Sequence, residues 1–395
     1  METKSANSDG NGLNRKIEFT TLKEPFNLDN GSVLTKVSVA YETYGALNDQ
    51  KSNVILVCHA LTGSAHVAGP AVFPEEAVTQ APLLASINGK GKGWWDGIIG
   101  PGKLLDTRRY FIVSTNVLGS CYGTSGPFSI NPGTGKRYGP DFPQITVRDM
   151  VRVQYALMRQ MNIDQILMVI GGSLGGMQVL EWGILYPESV QKLVPIATPA
   201  RHTDWGIALN HLARMAIRND PHWQGGYYDE QPLSGLSLAR KIGMISYRTD
   251  VSFNNRFRYE SIQPTDQKWS QTNQYQVESY LNYQGQKLVN RFDANSYLYL
   301  TRAMDTHDVS GGRGTLRDAL SAIKAPTLTI GIDTDVLYPV HEQKAIAAAI
   351  HRGRYAEIRS MNGHDAFLIE FDQLTAIVQP FLQSGHEHRT KADGR

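Results

Sequence analysis

The chain predicts an α/β fold: a mostly parallel central sheet with helices on both faces and a helical lid inserted between two late strands. Three observations carry this prediction. Short apolar runs alternate with helix-like segments through most of the 395 residues. One such run, 165–170, leads straight into Gly171-Gly172-Ser173-Leu174-Gly175-Gly176 and then into a helical stretch. Between residues 197 and 327 the alternation gives way to helical spacing in a segment rich in Arg, Asn, Gln and Tyr. Near-continuous apolar strands suit parallel sheets, whose crossover helices cover both faces.

In chain order, residues 1–16 are polar and are expected to be a flexible amino terminus, without the continuous apolar segment of a secretion signal. The stretch 36–44 is expected to add antiparallel edge strands. Core strands are predicted at 54–58, 110–115, 166–170, 193–197 and 327–330, with a further one at 355–358. A helix over 177–185 stops at Tyr186-Pro187, where the proline disfavours helical geometry in the residue before it. Residues 17–198 and 309–383 form the core. Residues 199–308 form the lid, with helices at 207–217, 235–246 and 274–290, and 384–395 form a flexible tail. An insertion just after a core strand lies above the carboxyl edge of the sheet, where open α/β sheets hold their ligands. The blander roles for it are enlargement of the fold or a subunit contact.

Lys plus Arg number 39 against 37 Asp plus Glu, giving a formal charge of +2. So balanced a chain carries no strongly basic signature for nucleic acid or an anionic membrane, and small-molecule partners are expected. The two cysteines, Cys58 and Cys121, make no disulfide framework and no zinc-ligand spacing, which fits a reducing cytoplasm and no bound metal. No apolar run reaches the about 18 residues a membrane span needs.

The glycine-flanked serine is read as a nucleophile elbow. A strand turning sharply into a helix lifts Ser173 above the sheet, and side chains at the flanking positions would collide with strand and helix. A serine hydroxyl is a poor nucleophile at neutral pH, so it needs a base in hydrogen-bond reach and an acid to orient that base. Gly331-Ile332-Asp333-Thr334-Asp335-Val336-Leu337-Tyr338-Pro339 and Asn362-Gly363-His364-Asp365 each follow a predicted strand. The order is therefore Ser, Asp, His. Of the eleven histidines, His364 is preferred for its place in a turn after the last strand. Spacing does not separate Asp333 from Asp335. Asp335 is favoured because its segment, Asp-Val-Leu-Tyr-Pro, should form the loop above the strand. Two backbone donors are needed for a developing oxyanion: the N–H of Leu174, after the nucleophile, and the N–H of Leu61 in His59-Ala60-Leu61-Thr62-Gly63, where enzymes with such an elbow put the second donor. Cys121, with no elbow around it, is read as a small buried group rather than as a nucleophile.

These motifs, together with Gly93-Trp94-Trp95-Asp96, Gly100-Pro101-Gly102 and Asn116-Val117-Leu118-Gly119-Ser120-Cys121-Tyr122-Gly123, make the chain resemble the homoserine O-acetyltransferase family of the α/β-hydrolase fold over about residues 17–383. The resemblance implies transfer of an acetyl group from acetyl-CoA, a co-substrate rather than a tightly bound cofactor, to the side-chain hydroxyl of L-homoserine, on the route to methionine. It implies an acyl-serine intermediate on Ser173, with Asp335 and His364 as partners, and a homodimer through the lid helices. It also points to Arg240 for the carboxylate and Asp365 for the ammonium of the amino acid, a division of charge that a zwitterion in a semi-enclosed site needs. On the same grounds, the segment 197–205 differs from the small polar run expected of the family and is expected to reshape the pocket. Close relatives acylate serine or use a succinyl donor, and an esterase or thioesterase shares the chemistry up to the step that resolves the acyl-enzyme.

Overall fold

The computed structural model describes residues 12–262 and 275–384. Its strands are β1 (Lys16–Thr21), β2 (Phe26–Asn27), β3 (Val33–Leu34), β4 (Ser38–Tyr44), β5 (Val54–Cys58), β6 (Phe111–Thr115), β7 (Met168–Gly172), β8 (Leu193–Ile196), β9 (Thr327–Ile332) and β10 (Gly353–Ile358). Its helices are α1 (Glu75–Gln80), α2 (Val147–Gln160), α3 (Leu174–Leu185), α4 (Asp204–Arg218), α5 (Leu233–Tyr247), α6 (Asp250–Phe257), α7 (Gln276–Val289), α8 (Ala294–Asp305), α9 (Leu316–Ser321), α10 (Val340–Ala349) and α11 (Phe371–Gln383).

One eight-stranded sheet runs β1-β4-β6-β5-β7-β8-β9-β10. The first two pairings are antiparallel and every later one is parallel. Strands β5, β7, β8 and β9 are buried at every position, as a parallel sheet covered on both faces requires. The two-residue period of β5 divides its side chains between two cores. Val54, Leu56 and Cys58 join α2 and α3 on one face, while Ile55 and Val57 join Trp95, Ile98 and the α11 residues Leu374 and Val378 on the other.

Several expectations are corrected in detail. The stretch 36–44 does not form the edge: β4 lies one strand in, and β1, a half-buried strand that sequence reading missed, takes the edge outside it. The strand expected at 166–170 sits at 168–172, because Ile166 makes only an isolated bridge to Val190 and pairing continues into the glycines. Strand β8 stops before Ala197, whose backbone turns to φ +44°. Helix α3 begins directly after Ser173 rather than at 177. Residues 1–11 of the expected flexible amino terminus, and 385–395 of the expected tail, lie outside the described residues. Residues 12–16 are held: Leu13 is buried, and Arg15 Nε lies 2.7 Å from the buried carboxylate of Glu42. Ser384 is held too, its carbonyl accepting from Lys192 Nζ at 2.6 Å.

Between β8 and β9 the chain makes its excursion, α4 to α8. At its neck two passing segments pair: the N–H of His202 donates to His307 O at 2.9 Å, and that of Val309 to Ala200 O at 3.0 Å. Arg201 and Asp308 close it with an ion pair at 2.7 Å. Three of its helices sit where helical spacing is read, 207–217, 235–246 and 274–290, the last beginning within the described residues at Gln276. Helix α8 was missed. Ten of its twelve residues are buried, polar Asn295, Ser296 and Thr301 included, so it shows no one-sided apolar stripe.

Candidate active site

Ser173 stands between β7 and α3 with φ +58° and ψ −123°, a conformation that side-chain-bearing residues rarely adopt. Both of its peptide groups are pinned. Its N–H donates to Ile196 O at 2.9 Å, and its carbonyl accepts from Thr198 Oγ1 at 2.9 Å. Helix and strand approach so closely that a Cβ on Gly175 would come 2.2 Å from Cys58 O. Beneath the elbow a buried polar chain locks helix to helix: Trp182 Nε1 donates to Gln154 Oε1 at 2.7 Å, Gln154 Nε2 to Gln178 Oε1 at 2.7 Å, and Gln178 Nε2 to His59 O at 3.2 Å. Every member has a partner, which is what makes a buried network rigidifying rather than costly.

The loop after β5 is held by its own histidine. His59 Nδ1 lies 2.7 Å from Ala60 O, and its Nε2 faces the N–H of Val117 at 3.0 Å. One nitrogen donates and the other accepts, so the ring is neutral, and burial pulls its pKa down to about 4. The N–H groups of Leu61 and Leu174 donate to no described residue, and Leu61 lines the cavity that contains Ser173.

The geometry separates the two aspartates. Asp333 Oδ1 accepts from Ser360 N at 2.9 Å and ties β9 to the loop after β10. Asp335 Oδ1 accepts from the N–H groups of Leu337 and Tyr338 at 2.8 and 3.0 Å, and its Oδ2 lies 2.7 Å from His364 Nδ1. That pair is buried, and His364 Nε2 has no hydrogen-bond partner among the described residues. Burial pushes the imidazole's pKa down, but the charge and hydrogen bond of Asp335 and the charge of Asp365 outweigh it, so the net shift is upward from 6.5. The rings of Tyr338, Tyr247 and Phe367 wall the imidazole in.

Ser173 and His364 line one cavity of about 180 Å³ together with Leu61, Arg240, Asp365 and Arg291. Arg240 reaches it from lid helix α5, its guanidinium 5.7 Å from the Tyr247 ring centre. Asp365 reaches it from the turn that carries His364. The predicted residues are thus brought to one place. Cys121 lines a different cavity, and both cysteines are buried free thiols whose pKa burial raises well above the usual range. Among the described residues, no group of three or more His, Cys, Asp or Glu could hold a metal ion, and no helix is long and apolar enough to cross a membrane.

A family model for the alpha/beta hydrolase fold matches residues 53–371. A homoserine O-acetyltransferase of Moorella thermoacetica is 53% identical over 372 residues, covering 92% of this chain and 95% of that protein. The chain belongs to the homoserine O-acetyltransferase family. A second homoserine O-acetyltransferase, from Carboxydothermus hydrogenoformans, is 51% identical over 93% of this chain and 94% of its own length. Among solved structures, a homoserine O-acetyltransferase from Bacillus anthracis matches with a TM-score of 0.84 at 31% identity, covering 93% of this chain and 98% of that one. Esterase E22 matches with a TM-score of 0.82 at 29% identity, covering 93% of this chain and 100% of its own. The fold is the α/β-hydrolase fold expected from the motifs.

Sequence reading of this homoserine O-acetyltransferase family member missed the residues that fasten lid to core. Arg248, just past α5, pairs with Asp365 at 3.1 Å and donates from Nη1 to Asn362 Oδ1 at 3.0 Å. Arg291 donates from Nη1 to Thr62 O at 2.8 Å, bracing the loop that carries Leu61. An arginine at a helix end reads as solvated, and only the fold brings these two beside their acceptors. His202, in the segment expected to reshape the pocket, lies near Ser173 against Tyr338.

Proposed function

We propose that this protein transfers an acetyl group from acetyl-CoA to the side-chain hydroxyl of L-homoserine, giving O-acetyl-L-homoserine and free CoA by a ping-pong mechanism. One observation supports the reading above others: His364, held by the buried Asp335 carboxylate, shares a cavity with Ser173, Arg240 and Asp365, in a chain 53% identical to a homoserine O-acetyltransferase. In the first half-reaction His364 Nε2 takes the proton of Ser173 Oγ, and Oγ attacks the thioester carbonyl carbon. The N–H groups of Leu61 and Leu174 receive the oxyanion. The C–S bond breaks, the thiolate takes the proton from His364, and acetyl-Ser173 remains. In the second, homoserine gives its hydroxyl proton to His364 and its oxygen attacks the acetyl carbon. Ser173 Oγ then leaves and recovers the proton. Arg240 holds the carboxylate of the acceptor and Asp365 its ammonium.

Acetyl-CoA serves here as a co-substrate, with no tightly bound cofactor. A cytoplasmic location belongs to the same reading, as does a homodimer through the lid. The lid exposes Leu212, Met215, Leu238 and Ile245 on α4 and α5, apolar surface of the kind a subunit contact covers. Sedimentation of the purified protein tests the dimer. The likeness to esterase E22 supports a second reading, in which water resolves the acyl-enzyme. Free-thiol release from acetyl-CoA and succinyl-CoA, with homoserine, serine or no acceptor, separates the readings. Release that requires acetyl-CoA and homoserine supports acetyl transfer to homoserine, whereas release indifferent to any acceptor makes the protein a hydrolase.

A further inference from the structure

A second, smaller cavity meets Ser173 from the other side of Leu61 and Tyr247. It measures about 20 Å³, where one water-sized group needs about 10–15 Å³. The lid builds most of it: Leu209 and Ala213 from α4, Ile242 from α5 and Met304 from α8, facing Leu337 of the acid loop.

In a ping-pong reaction on one serine, the departing thiolate and the arriving hydroxyl occupy the same position on the tetrahedral carbon, because the second half-reaction retraces the first in reverse. Both must therefore use one opening. Arg240, Asp365 and the larger volume assign that opening to the 180 Å³ cavity. The oxyanion takes a third direction, toward Leu61 and Leu174. What remains for the chain of the acyl group is the small cavity. We infer that the cavity lined by Leu209, Ala213, Ile242, Met304 and Leu337 is the acyl-chain subsite, and that the lid thereby limits the donor to acetyl. This rests on the acetyl-transfer reading.

Size and polarity act together. Room for about one methyl-sized group accepts acetyl and crowds propionyl. A succinyl chain would add a carboxylate to a surface lined by no Lys or Arg. Three polar groups there already have partners: His202 Nε2 with Tyr338 Oη at 2.9 Å, Asn210 Nδ2 with Asp305 Oδ1 at 2.9 Å, and Ser246 Oγ with Gly243 O at 2.9 Å. Arg214, on the same helix as Leu209 and Ala213, is committed to Asp305 at 2.5 Å. A buried carboxylate without a cation beside it is strongly disfavoured.

The test is a donor series, acetyl-, propionyl-, butyryl- and succinyl-CoA, with thiol release followed at varied homoserine for the wild type, Leu209→Ala and Ala213→Val. The wild type should lose about 10–200-fold in kcat/KM from acetyl to propionyl, the span one methylene commands in an apolar pocket. Leu209→Ala should narrow that gap at least about tenfold with the homoserine KM unchanged. Ala213→Val, which fills the space, should slow acylation by acetyl-CoA while its melting transition shows that it folds. A donor ratio unmoved in Leu209→Ala, or a homoserine KM raised in either variant with the donor ratio constant, would overturn the assignment. No thiol release from any donor by the wild type would instead sink the acetyl-transfer reading itself.

Discussion

His202 Nε2, on the neck of the lid, lies 2.9 Å from the hydroxyl of Tyr338, whose own N–H holds Asp335 Oδ1 at 3.0 Å. The lid is therefore joined to the carboxylate that orients His364 through one side chain and one peptide group. Asp305, at the end of α8, backs His202 at 3.5 Å and is itself gripped by Arg214.

His202→Ala leaves the buried Tyr338 hydroxyl without its partner. The expected cost is about 1–3 kcal/mol of stability, with kcat falling more than KM changes. Thermal unfolding and steady-state kinetics check both. A lower melting temperature with wild-type kcat would show that the neck supports the fold without supporting the triad.

Ser173→Ala should lower thiol release by about 10⁴-fold or more, as loss of the nucleophile does in triad enzymes. Ser173→Gly should be equally inactive but more stable than Ser173→Ala, because glycine reaches φ +58° without the strain of a Cβ. That difference is expected at about 1 kcal/mol. Paired melts of the two variants measure it, and equal midpoints would mean the elbow stores no strain.

The proton on His364 sets two pH dependences. Activity needs the neutral ring, so log kcat/KM should fall with unit slope on the acid side, with its midpoint above 6.5. Because the folded imidazole keeps its proton to a higher pH than the unfolded one, its charge stabilises the fold fully below 6.5. That contribution fades as pH rises through the folded value. Asp335→Asn removes the negative charge that does most to keep the imidazole protonated, so its acid midpoint should drop and its rate fall by about 10⁴-fold. A wild-type midpoint below 6.5 would contradict this account.

Arg240→Ala and Asp365→Asn should leave the burst of thiol from acetyl-CoA intact while slowing acetyl transfer to homoserine. A lost charge-assisted contact is worth about 1.5–3 kcal/mol, so kcat/KM for homoserine should drop about 10–100-fold. Rapid-mix measurement of the burst against the steady state separates the half-reactions. A reduced burst would place these residues with the donor rather than the acceptor.

The elbow was legible because its signals coincide: an apolar strand, glycines where strand and helix nearly touch, and a helical stretch read from 177, whose true start lies directly after Ser173. Chain order then selected His364, since Asp, then His, each followed a readable strand. Asp333 and Asp335 are chemically alike and two residues apart, so only the loop's path, which turns Asp335 toward His364 and Asp333 toward Ser360, tells them apart. Strand β1 left a weak alternation, Ile17 and Phe19 between polar neighbours, which half-burial at an edge does not sharpen. Arg248 and Arg291 left no local trace. Each meets its acceptor across the interface between lid and core, and such a meeting belongs to the tertiary fold rather than to any spacing.

The paired segments at residues 200–202 and 307–309 bring the chain back to the point from which it departed. The register of β8 against β9 is thus insulated from whatever length lies between them. A change of length within that excursion can therefore be absorbed beyond the neck without shifting the strands that precede Ser173 and Asp335. The part of the cavity wall that Arg240 supplies can then change with that detour, while Asp365 stays with the core.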